Sequence, residues 1–214
     1  APVIVGVSEG ERDFLGPWLV PKIVRSFREK YAFPIYSNAD HTYSFERVKE
    51  AVDCGYDMVI FDGTKLSFEE NVRITKACVE YARSVSSEML VEGELGYIGE
   101  GSQIREATPE IELTPASDAE RFVRETGLDL FAPAVGSIHG MLREAHDPDL
   151  NIARIREIRE AVRVPLVLHG ASGLRDENVR KAIAAGISLV HVSTELRVAW
   201  KNALTQSLAD LPNE

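Results

Sequence analysis

Apolar and polar positions follow two regimes along this chain. Short runs of branched residues occupy 3–7, 34–39, 58–61, 130–135, 165–168 and 187–192, and another begins at 89–91. Each is bounded by Gly, Pro, Asp or Ser, as buried strands are. Between them apolar residues recur every three or four positions. Trp18, Leu19, Ile23, Val24 and Phe27 predict a helix ending near Lys30. Ser44 caps a second, with Val48, Ala51 and Val52 inward and Gly55 at its close. Ser67 with Glu70 reads as a capping box, and its helix runs on through Val72, Val79 and Tyr81. Thr114-Pro115 opens the next, Ile152, Ile155 and Ile158 mark another, and Asp176 caps one that closes at Gly186. A last helix begins near Glu195. Two polar stretches, 8–16 and 97–112, lack either period and are expected to be loops.

Strand then helix, seven times over, predicts an α/β fold with a parallel sheet. Right-handed crossovers leave an open doubly wound sheet or a barrel. The polar residues choose between them. His41, Asp62, Glu94, His139, His169 and Thr194 each follow a strand signal. Along an open sheet they would form a row; in a TIM (β/α)8 barrel they ring one mouth, where barrel enzymes work. Seven strand signals against eight, in a chain that opens without Met, carry the expectation that the first strand and helix lie outside this sequence.

Composition narrows the reading further. The chain has 214 residues, 44% hydrophobic and 27% charged, enough for one core and one domain over 1–214. A net charge of −10 argues against a nucleic-acid or anionic-membrane partner. Cys54 and Cys78 fall in helical patterns and read as reduced thiols of a cytoplasmic protein. No apolar run reaches the length of a membrane span.

Three histidines at one mouth suit a zinc ion with an open position for a substrate oxygen. Any one of them alone reads more readily as a satisfied core side chain; three at successive strand ends do not. Asp62 and Glu94 offer a second, harder oxygen site, or orient the imidazoles. After the strand ending at Leu168, His169 opens into Gly170-Ala171-Ser172-Gly173, small residues that let backbone N–H groups approach an anion. His146 sits in a loop and reads as solvated.

Several motifs together resemble one family. They are Asp40-His41, Asp62-Gly63-Thr64 with Ser67 to Asn71, Val91-Glu92-Gly93-Glu94-Leu95-Gly96, Gly136 to Gly140, Leu166 to Gly173, and Ser193-Thr194-Glu195-Leu196. In this order and spacing they resemble the class II, metal-dependent ketose-bisphosphate aldolases of the fructose- and tagatose-bisphosphate branch. The resemblance implies a carbon–carbon lyase that cleaves or forms a ketose (bis)phosphate. The enediolate of a dihydroxyacetone-phosphate-like ketone would be stabilised by zinc. His41, His139 and His169 would hold the zinc. Asp62 and Glu94 would belong to a second divalent or a monovalent cation. Asp40 would be the acid–base catalyst. Gly140, Gly170, Ala171, Ser172, Ser193 and Thr194 would hold a phosphate. A homodimer or homotetramer is implied.

The sequence departs from the family in places. His191 stands where a substrate-contacting Asn is usual, and Leu189 replaces a common Lys. The loop after Glu94 carries Glu100 near, but not at, the position of a proton-transfer base. The C-terminal helices are shortened. Two other readings stay open: a Schiff-base aldolase using Lys65, and a metal- or sugar-phosphate-binding homologue without turnover.

Overall fold

The computed structural model describes all residues except 100, 109–110, 144–146 and 212–214. Glu100 and His146 therefore lie outside the described residues. In chain order the elements are β1 (Val3–Val7), α1 (Glu9–Leu15), α2 (Leu19–Tyr31), β2 (Ile35–Thr42), α3 (Phe45–Asp53), β3 (Met58–Phe61), α4 (Phe68–Val85) and β4 (Leu90–Leu95). They continue with β5 (Ile104–Arg105), α5 (Ala116–Thr126), β6 (Leu130–Pro133), β7 (Met141–Leu142), α6 (Ile152–Ala161), β8 (Leu166–Leu168), α7 (Asp176–Ala185), β9 (Ile187–Val190) and α8 (Thr194–Asp210). The seven anticipated strands are present; β5 and β7 are short additions.

The chain forms two compact units. The first comprises Ala1–Leu95, Ser117–Ala132 and Val162–Val164. Its strands run in the order β1-β2-β3-β4-β6, with the pairs from β1 to β4 parallel. Val48, Val52, Val59, Ile60, Phe61, Val79 and Phe122 are fully or almost fully buried there. Each such side chain contributes about 1.5–3 kcal/mol by leaving water. Phe122 is central, with ring centroids 6.1 Å from Phe68 and 5.8 Å from Phe131. The second unit comprises Gly96–Ala116, Pro133–Ala161 and Pro165–Glu214. Here β8 pairs in parallel with β9, and β5 with β7. Ile155 and Ile158 of α6 and all of β8 are buried.

Four local expectations need correction. The stretch 8–16 is not all loop: α1 fills most of it. Its start carries a capping signature, since the Glu11 carboxylate accepts from the Ser8 backbone N–H at 2.8 Å. Ser67 does cap α4, accepting from the Glu70 N–H, but the Glu70 carboxylate pairs with Arg73 instead of reaching back. Arg175, not Asp176, occupies the N-cap position of α7, without a side-chain capping bond, and Asp176 opens its first turn. Finally, β2 runs on through Asp40 and His41 to Thr42, so these two residues lie within the strand.

That extension is irregular. Ala39 pairs with Val59 and Thr42 with Phe61, so three steps along β2 span two along β3. One extra residue is accommodated at Asp40-His41, a bulge of the kind that re-aims a side chain beside a site. His41 takes φ 43°, a left-handed conformation that a residue with a Cβ rarely adopts. Both cysteines are free thiols, and burial pushes that of Cys78 up to about 12. Among the described residues no helix is long and apolar enough to cross a membrane.

Candidate metal centre

In the first unit, three strand ends bring Asp40, His41, Asp62 and Glu94 together. The bulge in β2 turns the His41 ring toward the ends of β3 and β4. Its Nδ1 lies 3.1 Å from Asp62 Oδ2 and 3.2 Å from Glu94 Oε1. Its Nε2 is 3.9 Å from Asp40 Oδ1. One ligand atom each from His41, Asp62 and Glu94 fall within 4.8 Å of one another.

Each carboxylate is positioned from its own chain segment. Asp62 Oδ1 accepts from the Thr64 N–H at 3.2 Å and from the Thr64 hydroxyl at 2.7 Å. This is an Asx-type turn built by Asp62-Gly63-Thr64. Gly63 is required by a close approach: a Cβ there would lie 2.2 Å from Asn71 Oδ1. Asn71, on the buried face of α4, donates to the Glu94 backbone carbonyl at 2.8 Å and accepts from the Thr75 hydroxyl. Thr64 and Asn71 belong to the motifs quoted above, but the sequence assigned neither of them a role. The Asx turn was legible in principle, whereas Asn71 sits in a helical pattern that hides its partner.

The electrostatics favour a cation. Burial opposes charge on His41, but Glu94, Asp40 and Asp62 outweigh it and raise its pKa well above the usual imidazole value. Burial, then the neighbouring Asp62 charge, push Glu94 up to about 7. Glu92, fully buried two residues earlier, is raised well above the carboxylate range, by burial first and by Glu94 and Asp40 next. Asp62 goes the other way: burial is overcome by its bond to His41 and by Thr64, and its pKa is lowered. Two carboxylate oxygens and an imidazole nitrogen in a buried cluster of like charges fit a divalent ion.

This has a consequence for stability without metal. Glu94 is ordinarily deprotonated above 4.5 and stays protonated here to about 7. The folded state thus holds a proton that the unfolded chain releases, and stability falls as pH rises through that window. His41 acts in the same sense, its contribution being lost as pH climbs from 6.5 through its raised pKa. Chelator-treated protein should therefore show a lower urea midpoint at pH 7.5 than at pH 5.5. Glu94→Gln should remove its share of that slope, with His41 and Glu92 supplying the remainder, and a midpoint that rises with pH would contradict the assignment.

In the second unit, His139, His169 and His191 stand in a row. The rings of His139 and His169 meet edge to face with centroids 5.8 Å apart, and His169 stacks on His191 at 4.2 Å. His139 Nδ1 lies 2.8 Å from the Gly99 carbonyl oxygen. A carbonyl only accepts, so Nδ1 carries the hydrogen and Nε2 of the neutral ring carries the lone pair. That tautomer fits a zinc ligand. Gly99 had no sequence signal, because its contribution is a backbone carbonyl.

The segment from Ile98 to Arg105 is laid along the His139 loop. The N–H groups of His139, Met141 and Arg143 donate to the carbonyls of Ile98, Gln103 and Arg105, each at 3.0 Å. Arg105 Nε donates to the His139 carbonyl at 2.6 Å. Part of the expected loop 97–112 is thus the strand β5. Gly140 lies under this segment, and Gly170 packs on the His139 loop. At Gly170, φ is 64° and a Cβ would come within 2.3 Å of the Ile138 carbonyl oxygen, so only glycine fits.

Ser172 Oγ accepts from the backbone N–H groups of Ser193 and Glu195, at 3.2 and 3.3 Å, and so covers the start of α8. The Ser193 hydroxyl is 3.0 Å from that of Ser102 and accepts from Arg197 Nε. The Ala171 N–H donates to the His191 carbonyl, and Thr194 is buried at the first turn of α8. The small-residue loop is therefore braced by α8 and its own neighbours.

Comparison with known proteins places this chain. The family model "Fructose-bisphosphate aldolase class-II" matches residues 1–214. The fructose-bisphosphate aldolase of Geobacillus stearothermophilus is 38% identical over 218 residues, covering 100% of this chain and 74% of that protein. That of Staphylococcus epidermidis is 37% identical over 213 residues, covering 97% and 72%. Among solved structures, the YdjI aldolase from Escherichia coli K12 superposes with a TM-score of 0.81 at 30% identity, over 100% of this chain and 73% of that one. The fold class is α/β of the TIM-barrel type that these aldolases share. With all 214 residues matched, the chain belongs to the class II fructose-bisphosphate aldolase family.

Proposed function

We propose that this chain, acting as one barrel domain, is a metal-dependent aldolase that cleaves or forms a phosphorylated ketose. What supports the reading most is the His139 tautomer: its Nδ1 is committed to Gly99, which leaves Nε2 as the donor nitrogen a zinc ion needs. His41, His139 and His169 hold the zinc, and Asp62 and Glu94 serve a second cation or orient His41. When bound, zinc supplies a Lewis acid that polarises the substrate carbonyl and offsets negative charge developing on the ketone fragment. Asp40 takes the proton from the hydroxyl that becomes the aldehyde, and returns it in the synthetic direction. Gly140, Gly170, Ala171, Ser172, Ser193 and Thr194 anchor the phosphate and so fix the orientation of the ketose. His191, stacked on His169, takes the substrate-contacting position. The protein works as a homodimer or homotetramer in the cytoplasm.

The test is an assay of the full chain with fructose and tagatose bisphosphates, before and after chelation and after zinc or cobalt is restored. Cleavage should vanish with chelator and return with metal. A protein that binds metal yet cleaves neither sugar, nor any other ketose phosphate, would overturn the lyase reading in favour of a binding homologue. Borohydride trapping of substrate on Lys65 would instead favour Schiff-base chemistry.

A further inference from the structure

Arg12 is the largest side chain that the first unit buries almost completely, with 1% of its surface exposed. An arginine is rarely taken out of water unless its donors are used. Its guanidinium bonds to the ends of β1 and β2. Nη1 donates to the Val7 carbonyl at 2.6 Å and to the Asp40 carbonyl at 2.9 Å, and Nη2 donates to the Thr42 hydroxyl at 2.8 Å. The pairing of β1 with β2 ends at Val7 and Ala39. Beyond that point β2 has lost its β1 neighbour, and on that side the guanidinium takes over as donor. It grips the residue before His41 and the residue after it. A second group of α1 reaches the next position, since Glu9 Oε2 accepts from the Tyr43 N–H at 3.1 Å.

His41 itself has φ 43°, at the bulge. A left-handed residue with a side chain is strained and persists only where its surroundings over-determine it. Here α1 supplies that determination at positions 40, 42 and 43. We infer that Arg12 is a positioning residue for the metal centre: it clamps the β2 bulge so that His41 is held in its strained conformation, aimed at the metal. The inference rests on the proposed role of His41 as a ligand. Arg12 touches neither metal nor substrate, so its effect should appear in metal affinity before it appears in chemistry.

The test is cobalt affinity of the full chain, measured by competition with a chromophoric chelator below the unfolding midpoint of every variant. Arg12→Lys cannot span both acceptors and should weaken binding about 10–100-fold, the usual cost of losing a partner that orients a ligand. Thr42→Val removes one acceptor, keeps the shape of the side chain, and should weaken binding several-fold at a smaller loss of unfolding midpoint than Arg12→Lys. Arg28→Met is the control. Arg28 also grips β2, at the Ile35 carbonyl and through Asp57, but at the far end of the strand. It should lower stability and leave cobalt affinity at the wild-type value. If Arg12→Lys does not fold, Thr42→Val decides. Wild-type affinity in both variants, or an equal loss in Arg28→Met, overturns the role of Arg12. A wild-type chain that takes up no cobalt overturns the ligand assignment itself.

Discussion

His139→Ala should yield a folded protein that holds no zinc and cleaves ketose phosphates at least about 10³-fold more slowly than the parent. The size follows from the several kcal/mol that a Lewis-acid metal contributes to the transition state. The direction follows from the Gly99 carbonyl, which spends the Nδ1 hydrogen of His139 and directs its Nε2 lone pair elsewhere. The ring is partly exposed and lies outside the apolar core, so its removal should shift the unfolding midpoint little. Metal content by atomic emission, alongside turnover, checks the prediction. An alanine variant with full zinc stoichiometry would remove His139 from the ligand set.

Asp40→Asn should behave in the opposite way. Zinc should be retained, KM should change modestly, and kcat should fall about 10²–10⁴-fold, the range for losing a positioned acid–base group. Its carboxylate lies 3.9 Å from His41 Nε2, close enough to be part of the site and too far to be a strong partner of the ring. The amide keeps shape and hydrogen bonding but cannot take a proton. Because the two variants split metal content from turnover, measuring both on each separates ligand from catalyst. Undiminished kcat in Asp40→Asn would move the proton transfer to another group.

Much of this arrangement was legible in the residues alone. Buried runs such as 58–61 and 166–168 have one reading, and helices with three apolar turns, such as α3 and α6, have another. The strand ends were legible because Asp, Glu and His have no reason to follow buried strands repeatedly. What stayed hidden depends on distant backbone. α1 was obscured by its charge and by Gly10, although Ser8 with Glu11 carried a capping signature. The bulge at Asp40-His41 arises from a register shift between β2 and β3, and a register is a relation between two segments. Arg12 looks like one more surface charge until its acceptors, 28 and 30 residues away, are known. Asn71 donates its side-chain amide to a backbone carbonyl 23 residues away, and Gly99 offers its own carbonyl; backbone carbonyls belong to every residue and no motif records them.

The segment that lies along the His139 loop has a further consequence. Its hold on that loop comes through the backbone carbonyls of Ile98, Gly99, Gln103 and Arg105. Among the described residues of this stretch, these bonds to the loop are made by backbone, with the Arg105 guanidinium as the side-chain addition. Ser102, Gln103 and Ile104 are exposed. Mutation can therefore vary these exposed side chains while the backbone bonds to the His139 loop are kept. Here sequence can drift while the backbone frame that seats the histidine loop is inherited unchanged.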